Sequence, residues 1–358
     1  MRTLHCIATM EGGGAEKQFC LLLNGLKKKN IECHAVILKG GVNLKLLTEA
    51  GVRVYVVTSN SNYDIRILFK LIKLFKAVRP DVVEVWQHPL DVIGGLAAFI
   101  LRIPFVVTER TDPNRFDTGI KSYLRKWLIK RSAAVVSNSE IGKIFWKNFV
   151  PNRIKCIYAP NIVSIPEETL HGVKDDNYII YVGRLNKDKN ILTLINAFSL
   201  VVKTLPKLKL YMLGEGELQN ECQMKVKQLG ITANVVFKGY EASPYNLVKN
   251  AKLFVLLSFF EGMPNAALEA AALKTPLLLS DIPQHRKIFD PFSAVFVDPL
   301  DPEKISNQIL MALDPYNSQD LKVLSNNAFK SISRFSEDEI TELYINLYKS
   351  ILNSNENS

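Results

Sequence analysis

The sequence predicts an α/β protein built from two doubly wound parallel-sheet domains. Three observations carry this expectation. Short apolar runs alternate with amphipathic helical stretches, the alternation occurs in two separate series, and a proline- and charge-rich segment, YAPNIVSIPEETLHGVKDDN, lies between them. At 358 residues the chain exceeds the usual size of one domain, and each half is long enough to bury its own core.

In the first series TLHCIAT reads as a strand, AEKQFCLLLNGLKKKN as a helix, and ECHAVIL and VRVYVV as strands. DIRILFKLIKLFKAVRP follows as a helix, DVVEVW as a strand, a helix runs from about Asp91 to Leu101, and PFVVTE is a strand. Parallel neighbours need a crossover between them, so strands separated by helices predict a parallel sheet. The second series begins near Asn177: YIIYVG, a helix around Ile191 to Lys203, LKLYMLG, a helix near Leu218 to Leu229, VVFKGY, KLFVLLS, an alanine-rich helix and TPLLLS. We therefore expect Rossmann-like domains over residues 1–165 and 177–335, with a linker over 166–176. In the closing segment, 336–358, Ile340, Leu343, Leu347 and Ile351 recur at helical spacing behind an acidic first turn.

Composition excludes several classes. With 47% apolar and 22% charged residues the chain is neither disordered nor membrane-spanning; its longest candidate span, VIGGLAAFIL, meets Arg102 after ten residues. HCIATM runs into EGGGAE without a cleavage site for a signal peptide, so a cytoplasmic location is expected. The five cysteines, Cys6, Cys20, Cys33, Cys156 and Cys222, lack metal-ligand spacing and read as reduced packing residues. Cutting the chain at Lys174 leaves +12 on the first part and −2 on the second. A basic first domain expects an anionic partner: a phosphate-bearing acceptor, an acidic leaflet or nucleic acid.

Ligands of open parallel sheets bind beyond the carboxyl ends of the strands, where helix N-termini offer unpaired N–H groups. Four strand-to-helix turns suit that use. EGGGAEK places Gly12, Gly13 and Gly14 before a helix, as a close-approach loop or simply a flexible turn. It is neither GxGxxG nor GxxxxGK[ST], which removes the main support for hydride chemistry and for triphosphate hydrolysis. In VGRLNKDKN, Arg184 and Lys189 are five residues apart around a turn, where they can hold a diphosphate or remain solvated. In LGEGEL, Gly214 and Gly216 keep side chains away from a neighbour. The fourth turn, SFFEGMPNAALEAAALKTP, places Glu261 in the turn and Glu269 about 8 Å along the helix that Pro264 or Asn265 begins. Carboxylates at such positions can accept paired hydrogen bonds from vicinal hydroxyls.

EGMPNAALEAAALKTP resembles the E-x7-E motif of the family 4 retaining, nucleotide-sugar-dependent glycosyltransferases. VGRLNKDKN is similar to that family's diphosphate turn, LGEGEL to its glycine turn, VVFKGY to its following strand and GGGAEK to its N-terminal glycine loop, all in the family's order. The resemblance implies the GT-B fold, with two facing Rossmann-like domains, parallel sheets and a C-terminal crossover helix returning to the first domain. It implies that Glu269 holds the donor ribose, that Glu261 holds the transferred sugar, and that Arg184 and Lys189 hold the diphosphate. Gly183, Gly214, Gly262, Met263, Pro264, Asn265, Gly13 and Gly14 would complete the donor site. No cofactor and no metal are implied, only a nucleotide-sugar co-substrate, UDP favoured. Two departures bear on donor identity: Lys274-Thr275-Pro276 where the family has glycine before the proline, and Lys287 where it often has glutamate.

On the acceptor side, WQHPLDVIGGLAA is similar to the family's segment after the fourth strand, although His88 sits one residue out of register relative to Asp91. ERTDP, with Glu109 and Arg110, resembles a turn of transferases that extend lipid-linked oligosaccharides. His88, Glu109, Arg110 and Glu16 are thus the expected acceptor contacts, for a saccharide carried on a lipid diphosphate. Two basic amphipathic helices are candidates for contact with the inner face of an anionic membrane: one carries Arg66, Lys70, Lys73 and Lys76, the other Arg125, Lys126, Trp127, Lys130 and Arg131. Each can equally be a crossover helix with a solvated basic face. A sugar-nucleotide epimerase or phosphorylase on the same fold is the alternative enzyme, and a basic nucleic-acid-binding protein the distant one; no nucleic-acid partner is expected.

Overall fold

In a computed structural model of the chain, seven parallel strands form the first sheet: Arg2–Thr9 (β1), Glu32–Lys39 (β2), Arg53–Val56 (β3), Val82–Trp86 (β4), Phe105–Glu109 (β5), Ala134–Ser137 (β6) and Lys155–Tyr158 (β7). The structure describes residues 1–11, 13–58, 64–86, 89–110, 120–165, 177–241 and 243–356. The strand order is β3-β2-β1-β4-β5-β6-β7, so the direction of winding reverses between β1 and β4. Connecting helices are Gly14–Lys28 (α1), Leu44–Glu49 (α2), Ile65–Val78 (α3), Leu90–Ile100 (α4), Ile120–Ile129 (α5) and Glu140–Phe149 (α6). Helices on both faces explain why β4, β5 and β6 are buried along their whole length, Glu84, Thr108 and Glu109 included.

The second sheet has six strands: Tyr178–Val182 (β8), Lys209–Leu213 (β9), Val235–Gly239 (β10), Phe254–Leu256 (β11), Leu277–Ser280 (β12) and Val295–Val297 (β13). All its pairings are parallel, in the order β10-β9-β8-β11-β12-β13, with winding reversed between β8 and β11. Its helices are Ile191–Thr204 (α7), Gln219–Gln228 (α8), Tyr245–Lys249 (α9), Asn265–Ala272 (α10), Pro283–Arg286 (α11), Pro302–Leu313 (α12) and Ser318–Ser331 (α13). Side-chain oxygens close several N-termini, each stabilising by about 1 kcal/mol. Asp64 accepts from Arg66 N, Ser139 from Gly142 N and Asp301 from Lys304 N.

Contacts divide the chain into Met1–Ile162 with Phe335–Ser358, and Val163–Arg334. The expected linker, 166–176, lies outside the described residues. The last helix, Glu337–Glu356 (α14), packs in the first unit, burying Ile340, Leu347 and Ile351 against Phe19, Leu23 and Leu26 of α1. Its approach to α1 depends on Gly25: a Cβ there would lie 2.1 Å from Thr341 Oγ1. Because α14 is acidic, assigning it to the first unit lowers that unit's charge from the +12 of the Lys174 cut to +9.

Beneath α14 lies a buried polar cluster that the sequence reading of DVVEVW as a plain strand misses. Glu84 of β4 accepts hydrogen bonds from Thr108 Oγ1 and from Tyr348 OH of α14. His5 Nδ1 is 3.6 Å from Glu84, and Arg110 donates to Tyr344 OH at 3.1 Å. Burial pushes the Glu84 carboxyl up to about 7 and pulls the His5 imidazole down to about 3.

Candidate functional site

The reversal between β8 and β11 opens a crevice at the carboxyl edge of the second sheet, the position where parallel α/β sheets bind ligands. The turns leaving these two strands are tied together, since Phe259 N donates to Asp188 O at 2.9 Å. After β8 the chain makes a single 3-10 turn, Lys187–Lys189, begun by Asn186, whose side chain accepts from Lys189 N. Asn190 then takes the left-handed conformation at φ 54°, and its amide donates to Pro299 O at 2.7 Å. An L-residue tolerates that region poorly, and asparagine is among the few side chains that enter it readily.

These constraints carry Lys189 to Glu261. Lys189 Nζ lies 2.5 Å from Glu261 Oε1, and the Ser258 hydroxyl donates to the same oxygen at 2.6 Å. Glu261 is only 6% exposed. A carboxylate so removed from water needs both partners, because an unpaired buried charge costs several kcal/mol. Oε2 has no partner among the described residues, and it remains able to accept from a ligand hydroxyl. Arg184 is exposed on the same turn, and its guanidinium has no hydrogen-bond or ion-pair partner among the described residues. The two cations expected to act together are thus differently placed: Lys189 is paired, Arg184 is open.

Next to Glu261, α10 begins at Asn265 with Pro264 as its N-cap and no side-chain cap. The uncapped first-turn N–H groups carry the partial positive charge of a helix end, a few residues from Glu261. Asn265 N donates to Met263 O at 2.9 Å, so the backbone N–H of this residue, expected in the donor site, is already engaged. Gly262 is exposed, and a Cβ there would meet nothing within 4 Å. Glu269 lies on the second turn of α10, half-buried. Gly183 and Gly214 have a packing role. A Cβ on Gly214, at φ +128°, would sit 2.0 Å from Gly183 O, and one on Gly183 would sit 2.6 Å from the Tyr181 hydroxyl, which donates to Arg184 O. One on Gly216 would likewise strike Leu185 O at 2.4 Å. The neighbour that Gly214 and Gly216 admit is the backbone of the β8 turn.

In the first unit, Gly13 caps α1 and Gly14 is its first residue; Glu16 Oε1 accepts from Thr9 Oγ1 at 3.0 Å. Glu109 and Arg110, expected at the acceptor, are engaged by side chains of their own unit. Glu109 accepts from Arg125 at 2.7 Å, and Arg125 also bonds Asp91. The Arg110 guanidinium lies 4.6 Å over the Trp86 ring and bonds Asn161 and Tyr344. Glu109 is thus ion-paired, whereas the partners of the Arg110 guanidinium are all neutral and its charge is kept. Gly12 and His88 lie outside the described residues. Arg125, expected on the membrane-facing side of α5, is turned inward by the same two carboxylates. By contrast α3 leaves Ile65 and Phe69 more than 60% exposed beside Arg66, Lys70, Lys73 and Lys76. Among the described residues no helix is long and apolar enough to cross a membrane.

The sequence reading overlooked Ser258, Asn186 and His285. The only local signal for Ser258 is its place three residues before Glu261. His285 is fully buried; its Nδ1 lies 2.9 Å from Ser280 O, and burial lowers its pKa.

Comparison with known proteins agrees with this architecture. Residues 12–160 match Glycosyltransferase Family 4, and residues 168–331 match Glycosyl transferases group 1. An uncharacterized glycosyltransferase of Methanocaldococcus jannaschii is 26% identical over 60% of this chain and 58% of its own length. A Campylobacter jejuni protein, GalNAc-alpha-(1->4)-GalNAc-alpha-(1->3)-diNAcBac-PP-undecaprenol alpha-1,4-N-acetyl-D-galactosaminyltransferase, is 27% identical over 99% of this chain and 100% of its own. The crystal structure of Anabaena Alr3699/HepE in complex with UDP and glucose superposes with a TM-score of 0.82 at 18% identity, covering 98% of this chain and all of that one. The chain therefore belongs to the glycosyltransferases of the GT-B fold, with a Family 4 domain preceding a group 1 domain.

Proposed function

We propose that this protein is a retaining glycosyltransferase that moves a hexose or N-acetylhexosamine from a UDP-sugar to a saccharide carried on a lipid diphosphate, in bacterial surface-glycan assembly. The observation that carries the reading is the crevice between β8 and β11, where Glu261 keeps one carboxylate oxygen open beside Lys189, the exposed Arg184 and the uncapped start of α10. The Campylobacter relative, whose name specifies an undecaprenol diphosphate acceptor, and the UDP held by the Anabaena neighbour support the substrate classes.

In this reading Lys189 and Arg184 stand against the diphosphate, whose negative charge grows as the sugar–oxygen bond breaks. Pre-placed cations and N–H dipoles stabilise that charge without reorganising at the moment of reaction, and this is commonly the largest catalytic contribution. Two cations with a helix end neutralise a leaving diphosphate, so no metal is required. Glu269 takes the ribose hydroxyls, Glu261 the hydroxyls of the transferred sugar, and the acceptor hydroxyl attacks from the face the nucleotide leaves, its proton passing to the departing diphosphate oxygen. The exposed Ile65 and Phe69 among the lysines of α3 would rest on the anionic inner leaflet, bringing the enzyme to its lipid-linked acceptor.

The test is thermal stabilisation by UDP and a panel of UDP- and GDP-sugars. A ligand that binds only the native state at 100 times its Kd adds about 2.7 kcal/mol. Glu269→Gln and Arg184→Ala should each weaken donor affinity by about 10-fold or more, since a hydrogen bond to a charged group is worth about 1.5–3 kcal/mol. Donor affinity and transfer rate untouched in both variants would refute the site.

A further inference from the structure

Glu261 is held twice through a single oxygen, and the two holders differ in what a donor would do to them. Lys189 carries its cation on a flexible four-carbon stem, which a diphosphate would draw away. Ser258 is fully buried and bonded through both its hydroxyl and its carbonyl. Its hydroxyl donates to Glu261 Oε1, while its carbonyl accepts from the Ser280 hydroxyl at 2.6 Å. The Ser280 carbonyl in turn lies 2.9 Å from His285 Nδ1. Ser258, Ser280 and His285 are all fully buried.

The direction of each bond in this chain is set. A carbonyl can only accept, so the proton on the imidazole sits on Nδ1, and burial keeps the ring neutral. With Nδ1 carrying the proton, the Ser280 Oγ 3.2 Å from it accepts, so the one proton of Ser280 goes to the Ser258 carbonyl, and the one proton of Ser258 goes to the carboxylate. Three segments, the end of β11, the end of β12 and α11, thereby fix the position of one serine hydroxyl.

We infer that Ser258 is a positioning residue for glycosyl transfer: it keeps the Glu261 carboxylate in place for the sugar when Lys189 leaves its ion pair for the donor diphosphate. This rests on the donor-site reading given above. Ser258 touches no substrate; it acts through Glu261. Its loss should therefore be felt by the sugar and not by the nucleotide. A bond that merely stitched the turn together would, when lost, loosen both.

The experiment compares Ser258→Ala, Ser258→Thr and Lys189→Met with the wild type. It measures calorimetric binding of UDP alone, and UDP release from the UDP-sugar that gives the wild type its largest thermal stabilisation. Thermal unfolding of each variant confirms that it is folded. In Ser258→Ala, kcat should fall about 10- to 100-fold, the worth of one hydrogen bond to a charged group, while the Kd for UDP stays within about 2-fold. Threonine, which restores the hydroxyl, should recover most of the rate. Lys189→Met should weaken UDP binding itself. Unchanged kcat in Ser258→Ala, or an equal loss of UDP affinity, overturns the inference and leaves the donor site standing. A wild-type chain that binds no UDP or UDP-sugar overturns both.

Discussion

Replacing Glu84 with glutamine should make the first unit more stable at neutral pH than the natural chain, with the advantage vanishing in acid. Glu84 is buried in β4, faces His5 of β1, Thr108 and Arg110 at the end of β5, and Tyr344 and Tyr348 of α14. Desolvation raises its carboxyl from 4.5 to about 7, against the opposing pull of the Thr108 and Tyr348 hydroxyls and of Arg110. The folded state thus holds this proton to higher pH than the unfolded chain does. Stability from the protonated carboxyl is complete below about pH 4.5 and is lost as pH rises through about 7. The gap between those two values, at about 1.4 kcal/mol per pH unit, is about 3 kcal/mol. His5 works in the other direction: its imidazole is pulled down to about 3, so it favours the fold above pH 6.5 and opposes it on acidification. Within pH 4.5–6.5 the two effects oppose each other, and only the difference between wild type and Glu84→Gln isolates the carboxyl. Glutamine keeps the shape and can bond both hydroxyls but cannot ionise. All three tryptophans, Trp86, Trp127 and Trp146, lie in the first unit, so urea unfolding followed by their fluorescence reports that unit alone. From pH 4.5 to 8 the variant should gain about 3 kcal/mol on the wild type. Unfolding midpoints that stay parallel across this range would show that Glu84 does not titrate there.

Other consequences concern packing, metal dependence and the membrane. Gly25→Ala forces a methyl to within 2.1 Å of the buried Thr341 Oγ1. We expect a loss of about 1–2 kcal/mol despite the better helix propensity of alanine, seen as a fall of several degrees in Tm, and Thr341→Ala in the same chain should recover most of it. Transfer should survive a chelator; abolition with rescue by manganese would contradict neutralisation by Lys189 and Arg184. The chain should co-float with acidic vesicles at low salt, and Phe69→Ser with Lys70→Glu and Lys73→Glu should release it. Vesicles that leave even the wild type behind would remove α3 as a docking face.

Much of the fold was legible because it rests on local pattern. Continuous apolar runs with crossover helices mark buried parallel strands, and a clustered set of prolines and charges marks the break between two such series. The sequence reading does not include β6, β7 and β13, which are three or four residues long. The site was legible in outline for a similar reason, since glycine turns and a helix start after a strand are local chemistry. What the charged residues there bond to was not.

The order of residues alone determined the α/β class, the two-series organisation, the positions of the strand-end turns and the presence of Glu261, Glu269, Arg184 and Lys189 within them. Tertiary structure decided the pairings. Lys189 meets Glu261 across 72 positions, Arg125 draws Glu109 inward across 16, and Glu84 meets Tyr348 across 264. A charge buried by distant strands takes whichever partner the packing brings within hydrogen-bond reach. That choice depends on which strand ends the winding reversal places side by side, and no window of neighbouring residues contains it.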